Sequence, residues 1–194
     1  MKRNQFEFAE AWLEGKVLNV GSDGDPAGLS QKGSVTNLDV RPPADIVCDI
    51  RDYRLRRNEK PYDTILLCDL LHFFESRDEV LKVLRHCHSL LVDHGKVAIS
   101  CPEDFRPVEM GYLKAGAPMY APGVRAFRAG DKVTLPVIKG WLADAGGWDV
   151  LREEWIAYPF THLGGWGVVA VKHPGTTVPK SEEISPKESQ EVEA

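Results

Sequence analysis

A short apolar strand followed by a glycine-containing turn is the feature that most constrains this chain. Residues 16–20 form an apolar run typical of a buried parallel strand, and Gly21 and Gly24 follow it at once. A second apolar run over residues 35–39 ends on Asp39. Strand, glycine turn and a second strand ending on an acid form the nucleotide-binding half of an open α/β sheet. An ordinary βαβ unit with a tight turn explains the same pattern equally well.

The link between these two strands is short. Residues 25–33 contain Pro26, Gly28 and Gly33, so we expect one or two helical turns there in place of a full crossover helix. This departs from a dinucleotide-binding fold, in which a longer helix begins on the turn.

Further apolar runs alternate with helical patterns along the chain. We expect strands over 44–50, 62–69 and 96–100, and a closing antiparallel pair over 149–156 and 167–172. Helices are predicted over 4–14, 76–91 and 132–145; Ser76 and Glu79 have capping-box spacing, and Pro136 marks a start or a kink. The pattern predicts an α/β fold: a Rossmann-like, seven-stranded, mostly parallel sheet with a C-terminal antiparallel strand pair and helices on both faces.

Composition limits the classes of partner. The chain has 194 residues and a net charge of -5, with 24 basic and 29 acidic side chains, which argues against a large nucleic-acid surface. A basic cluster over residues 51–60 leaves nucleic-acid contact open, although a solvated loop is the simpler explanation. Its cationic side chains are Arg51, Arg54, Arg56, Arg57 and Lys60.

The four cysteines lack CxxC spacing and fit buried thiols in a reducing compartment, so we expect a cytoplasmic protein without a metal site. His86 and His88 are two positions apart on a predicted helix and point away from each other. No apolar run approaches the roughly 20 residues of a membrane span, and none resembles a signal peptide, so no membrane association is expected.

In two segments the apolar residues follow neither a helical nor a strand spacing. The loop over residues 101–129 is rich in proline and glycine, as lids and binding loops often are, and contains Tyr112, Tyr120, Arg125 and Phe127. From residue 174 onward the chain is composed mainly of Pro, Ser, Thr, Lys and Glu. We therefore predict one domain over residues 1–173 and a disordered tail over 174–194.

With these elements in order, the chain resembles the class I S-adenosylmethionine-dependent methyltransferases over roughly residues 14–172. The resemblance implies S-adenosylmethionine as cofactor. It places the methionine part in the glycine turn, the ribose at the end of the second strand, the adenine after the third strand and the reacting centre at the end of the fourth. The implied cofactor-binding residues, in that order, are Asn19, Gly21, Ser22, Asp23 and Gly24; Asp39 and Val40; Asp49 and Ile50; and Cys68, Asp69 and Leu70.

The glycine turn departs from the family pattern. The positions that the family fills with alternating glycines hold Gly21, Asp23 and Asp25. The Asp23 carboxylate would attract the ammonium group of the cofactor and repel its carboxylate. His72-Phe73 stands where many members that act on small molecules have Glu-His.

His72 and Asp69 are the candidate catalytic residues. His72 would serve as a base or contact the substrate, although a packed histidine explains it equally well, and Asp69 is more simply a residue that shapes the cofactor loop. Glu103 and Asp104 follow the fifth strand, where a plain polar turn is the simpler interpretation.

Two functions of different classes remain. The first is methyl transfer to a small-molecule, sugar or nucleoside-like acceptor. The second is a catalytically inactive relative that keeps the fold as a binding or scaffold protein, which the altered turn favours and the retained Asp39 and Asp49 oppose. A nicotinamide enzyme is a weaker third option, because the turn lacks G-x-G-x-x-G spacing.

Overall fold

The computed structural model describes residues 3–25, 28–74, 76–103, 132–157 and 164–176. The helices are α1 (Gln5–Glu10), α2 (Arg77–Leu90) and α3 (Leu135–Ala145), and 3₁₀ turns occur at Leu29–Gln31 and Leu71–Phe73. The strands are β1 (Lys16–Val20), β2 (Ser34–Asp39), β3 (Ile46–Val47), β4 (Tyr62–Cys68), β5 (Leu91–Pro102), β6 (Trp148–Ala157) and β7 (Gly164–Lys172).

The described strands form one sheet in the order β3-β2-β1-β4-β5-β7-β6. β1 to β5 are parallel to one another, whereas β7 runs antiparallel to both β5 and β6. This confirms the predicted seven-stranded, mostly parallel sheet with a C-terminal antiparallel pair. Because β1 lies between β2 and β4, the loops that leave the carboxyl ends of these three strands lie side by side.

Apolar side chains alternate between the two faces of the sheet and pack against helices on each side. On one face, α2 and α3 contribute Val80, Leu84, Ile138 and Trp141 to a buried cluster that includes β4. On the other face, Phe8 of α1 and Leu29 of the first 3₁₀ turn pack against the opposite side chains of the same strands. Helical segments therefore lie on both faces, as predicted.

The first crossover is short. Between β1 and β2 the described residues form a single 3₁₀ turn at Leu29–Gln31, as the proline and glycines indicate. α2 begins after Ser76, whose hydroxyl accepts a hydrogen bond from the Glu79 amide at 3.3 Å. In α3, Pro136 lies within the first turn and does not kink the helix.

Some boundaries differ from the sequence-based prediction. α1 ends at Glu10 rather than near residue 14, and β3 has two residues rather than most of 44–50. Asp93, His94 and Gly95 have a sequence typical of a turn and stand between the predicted helix and the predicted strand over 96–100. In the structure they lie inside β5, where His94 has φ 61° and the pairing register with β4 shifts. Pairing with β4 resumes at Lys96, so the local turn signal produces an irregularity within the strand instead of ending it.

The predicted lid and tail fall mostly outside the described residues. Residues 104–131, which include Asp104 and the loop aromatics, and residues from 177 onward are not described. Within the described part, no helix is long and apolar enough to span a membrane.

Candidate functional site

The glycine turn (residues 21–25) keeps a left-handed backbone at each alternate position. Gly21, Asp23 and Asp25 have φ values of 71°, 43° and 60°. Aspartate is one of the few residues besides glycine that adopts this conformation, because its short polar side chain can hydrogen-bond locally. The two aspartates therefore follow a backbone path that would otherwise favour glycine.

Gly21 lies in close contact with the end of β4. A Cβ atom added at Gly21 would lie 3.0 Å from Cδ1 of Leu70. The Gly21 amide donates a hydrogen bond to the Leu38 carbonyl at 2.8 Å, which fixes the turn against β2. A larger residue at this position would have to displace Leu70, so the turn and the β4 loop form one surface.

Asp39 connects the end of β2 to the glycine turn. Its buried carboxylate accepts hydrogen bonds from the amides of Asp23 and Arg41, each at 3.0 Å. A carboxylate has about four acceptor positions, so this one retains capacity for ribose hydroxyls. Next to it, Val40 is 60% exposed and offers an apolar surface at the carboxyl edge of the sheet.

Asn19 and Ser22 differ in how their polar groups are used. The Asn19 amide donates to the side-chain oxygen of Asn37 at 2.9 Å and thereby joins β1 to β2 inside the sheet. Ser22 is only 4% exposed, and its hydroxyl has no hydrogen-bond partner among the described residues. A buried hydroxyl without a partner is costly, so Ser22 is better suited than Asn19 to contact a ligand.

The Asp49 carboxylate is held by Arg51. It accepts hydrogen bonds from the Arg51 amide at 2.8 Å and from Nε and Nη2 of the same guanidinium at 3.0 and 2.7 Å. This contact lowers the pKa of Asp49. Arg51 also donates to Glu79 of α2 at 2.8 Å and lies over the Phe74 ring, whereas Ile50 is buried in the core. The adenine contacts expected of Asp49 and Ile50 stay predictions.

At the end of β4, burial controls the ionisation of the candidate reaction centre. Burial raises the pKa of the Cys68 thiol to about 12, so the thiol is neutral. Asp69 has a left-handed backbone with φ 55°, and its amide donates to the Ser100 carbonyl at 2.9 Å. This conformation fits a residue that shapes the loop.

His72 is buried, not solvated. It is 1% exposed, its ring centroid lies 4.2 Å from that of Phe73, and burial lowers its pKa to about 3. An imidazole with such a pKa is neutral at physiological pH and accepts a proton poorly. The role of His72 as a base stays a prediction, and these properties weigh against it.

The structure brings most of the predicted site residues to one edge of the sheet, but it also adds residues that the sequence analysis missed. Arg41 and Arg51 pair with acids of the site, and Pro43 would lie 3.4 Å from a Cβ atom at Gly24. The sequence feature that could have assigned Arg51 to the site is its position two residues after Asp49. The Glu103 amide donates a hydrogen bond to the Gly164 carbonyl in the sheet.

Among the residues that the structure describes, no three side chains that could bind a metal ion lie together.

Comparison with known proteins identifies the fold. No family model and no curated protein sequence matches the chain. The structure is similar to 1,6-didemethyltoxoflavin-N1-methyltransferase of Burkholderia thailandensis, solved with its substrate and S-adenosylhomocysteine, with a TM-score of 0.62 and 19% identity over 87% of this chain and 78% of that one. It is also similar to the N-methyltransferase NodS of Bradyrhizobium japonicum, with a TM-score of 0.57 and 10% identity over 87% of this chain and 92% of that one.

The chain therefore has the fold of the class I S-adenosylmethionine-dependent methyltransferases. The [4+2]-cyclase SpnF is also similar, with a TM-score of 0.56 and 13% identity over 82% of this chain and 75% of that chain. Because proteins with methyltransferase and cyclase names share this fold, the reaction must be argued from the site.

Proposed function

We propose that the chain binds S-adenosylmethionine at the glycine turn and transfers its methyl group to a small-molecule, sugar or nucleoside-like acceptor. The observation that carries the proposal is the position of Asp39. Its carboxylate ends β2, contacts the glycine turn directly and retains acceptor capacity. A buried acid at this point is well suited to the two hydroxyls of a ribose.

The neighbouring residues suit the same ligand. Ser22 has a buried hydroxyl that lacks a partner in the described part of the chain, and Val40 presents apolar surface suited to an adenine ring. Gly21 and Leu70 are in close contact, so Leu70 would shield the turn from water. When bound, S-adenosylmethionine supplies an electrophilic methyl group on a sulfonium.

The protein itself needs to supply little acid–base chemistry. Methyl transfer from a good leaving group depends mainly on in-line positioning and exclusion of water. A base is needed only when the acceptor is a hydroxyl or a protonated amine. Because His72 is buried and neutral and the Cys68 thiol is also neutral, these residues favour an acceptor with a lone pair already available, such as an uncharged amine or ring nitrogen.

A second candidate is a binding protein that keeps the adenosyl site without catalysis. The observation that favours it is the pair of aspartates at positions 23 and 25, which add negative charge where the family pattern has glycine. Asp39 would still bind the ribose in such a protein, so the two candidates share the ligand and differ only in turnover.

A methyl-transfer assay separates the two candidates. Purified protein is incubated with S-adenosylmethionine carrying a tritiated methyl group and with pooled low-molecular-weight acceptors. We expect label in a small molecule, and about 10- to 100-fold less label with Asp39→Asn because a hydrogen bond to a charged acceptor is lost. Asp149→Asn, on the exposed edge strand β6, is the matched control and should transfer label normally.

The outcomes distinguish the proposals. Label transfer that depends on Asp39 supports the methyltransferase. Binding of S-adenosylmethionine without transfer to any acceptor supports the non-catalytic protein. Absence of binding at millimolar concentration contradicts both.

A further inference from the structure

Four backbone N–H groups around the glycine turn are already used inside the chain. Loops of this kind usually hold a ligand's carboxylate or phosphate with such groups. Here Gly21 donates to Leu38 O, Asp23 to the Asp39 carboxylate, Asp25 to Ser22 O, and Gly28 to Asp25 O. An anionic group of a ligand would find none of these four donors free.

The Asp25 carboxylate is an anion of the chain itself, held beside the turn by the residues of the first 3₁₀ turn. Its carboxylate accepts hydrogen bonds from the Leu29 amide at 2.8 Å and from the Ser30 amide at 2.9 Å. The Ser30 hydroxyl adds a third bond at 2.6 Å. Partial burial raises the pKa of Asp25, but these hydrogen bonds outweigh it and the net pKa is lowered. Asp25 therefore stays ionised and acts as an internal anion.

Asp23 adds a second negative charge that faces solvent. Its side chain is 64% exposed, and its one ion pair in the described part of the chain is with Nη2 of Arg41 at 3.9 Å. At this distance and exposure the guanidinium compensates the charge only weakly. Together with Asp39, the turn presents three carboxylates and, among the residues that the structure describes, one loosely placed cation.

We propose that the turn prefers adenosyl ligands whose 5′ substituent ends in an amine or an uncharged group, and binds the same ligands more weakly, without excluding them, when they carry a carboxylate as S-adenosylmethionine does. An amine would be attracted by the Asp23 carboxylate, whereas a carboxylate would be repelled by it and would find four of the nearby amides occupied. The Ser22 hydroxyl can accept a hydrogen bond from the amine. This inference rests on the proposed function, because it assumes that the adenosyl part binds at Asp39.

The test compares ligands that differ by the carboxylate. Calorimetric titration of the full chain would use S-adenosylmethionine against decarboxylated S-adenosylmethionine. A second pair would be S-adenosylhomocysteine against decarboxylated S-adenosylhomocysteine. We expect the carboxylate-free ligand of each pair to bind about tenfold more tightly, as one partly screened like-charge contact would produce. Asp23→Asn should reduce this preference, whereas the control Asp149→Asn should preserve it.

Equal or tighter binding of the carboxylate-bearing ligands would overturn the inference while leaving the proposed function intact. A preference that Asp23→Asn does not change would also overturn it. If none of the four ligands bound, the proposed function would fail, and the inference with it.

Discussion

Gly21 lies beneath Leu70 in a left-handed backbone conformation, and this geometry can be tested by adding one methyl group. In Gly21→Ala the new Cβ would lie 3.0 Å from Leu70 Cδ1 at a residue with φ 71°. We expect a loss of about 1–2 kcal/mol in the free energy of unfolding, measured in urea, because a left-handed residue with a side chain is strained.

Gly140 provides the matched control. It lies within α3, and a Cβ atom added there would meet nothing within 4 Å. Gly140→Ala should stabilise the protein by about 0.5–1 kcal/mol, since alanine is the better helix former. Equal effects of the two substitutions would contradict the close packing at the turn.

The burial of His72 predicts a pH dependence of stability. Its pKa is about 3 in the folded chain, against 6.5 when unperturbed. The unfolded state therefore binds the proton first as the pH falls, and stability that is complete above pH 6.5 is lost progressively toward pH 3. Between pH 7 and pH 5 this residue should account for a loss of about 2 kcal/mol.

Urea unfolding of His72→Gln at both pH values measures this contribution. The variant should lose less stability than the wild type over that pH interval. It should still lose some, because His86 and His88 also have lowered pKa values. Gly140→Ala, which changes no titratable group, is the control and should keep the wild-type slope. An unaltered slope in His72→Gln would show that His72 is solvated, and would restore it as a candidate base.

The identities of the strand-end residues could be predicted from the sequence, but their partners could not. Asp39 and Asp49 follow short apolar runs, and this pattern placed them at the carboxyl edge of the sheet. The Asp23 amide donates a hydrogen bond to Asp39, and the Arg51 side chain donates one to Asp49. Both hydrogen bonds depend on how the loops fold back over the strand ends. Local sequence does not specify such pairings, because each acid has several possible partners within reach.

At the scale of elements, Arg51 joins the β3 loop to α2. It contacts Asp49, Glu79 and the ring of Phe74, so it connects the region expected to hold the adenine with the first turn of the helix. In Arg51→Gln we expect a loss of about 1 kcal/mol in unfolding free energy, since each of these partly exposed pairs is worth little alone.

A double-mutant cycle tests whether Arg51 and Glu79 act together. The losses in Arg51→Gln and Glu79→Gln should sum to more than the loss in the double variant, because both break the same contact. The exposed Arg57 serves as control, and Arg57→Gln should cost less than Arg51→Gln. Additive losses would contradict a connection through this ion pair.

The length of each element was harder to predict than its existence. The apolar runs identified β1, β2 and β4 closely, because these central strands are buried and their sequences are apolar. β5 begins at Leu91, earlier than predicted, since pairing with β4 overrides the turn signal of residues 93–95. The short 3₁₀ turn after β1 was predictable because proline and glycine leave no room for a longer helix.

At the scale of the whole molecule, the sheet order places the proposed ligand site between β2, β1 and β4, whereas the antiparallel pair β7-β6 lies at the far edge. The acids of the glycine turn are thus well separated from Asp149 on β6, which is why Asp149 can serve as the control. Proteins named for different reactions share this fold, so the fold alone does not identify the reaction. The claim to test first is therefore that the carboxyl ends of β2, β1 and β4 bind an adenosyl ligand.

Calorimetric titration of the full chain with S-adenosylhomocysteine and with 5′-methylthioadenosine tests this claim most directly. We expect binding of at least one of them in the micromolar range, about -8 kcal/mol, and binding about 10- to 100-fold weaker in Asp39→Asn. Asp149→Asn should bind like the wild type. No heat with either ligand at millimolar concentration, or equal affinity in Asp39→Asn, would contradict the account.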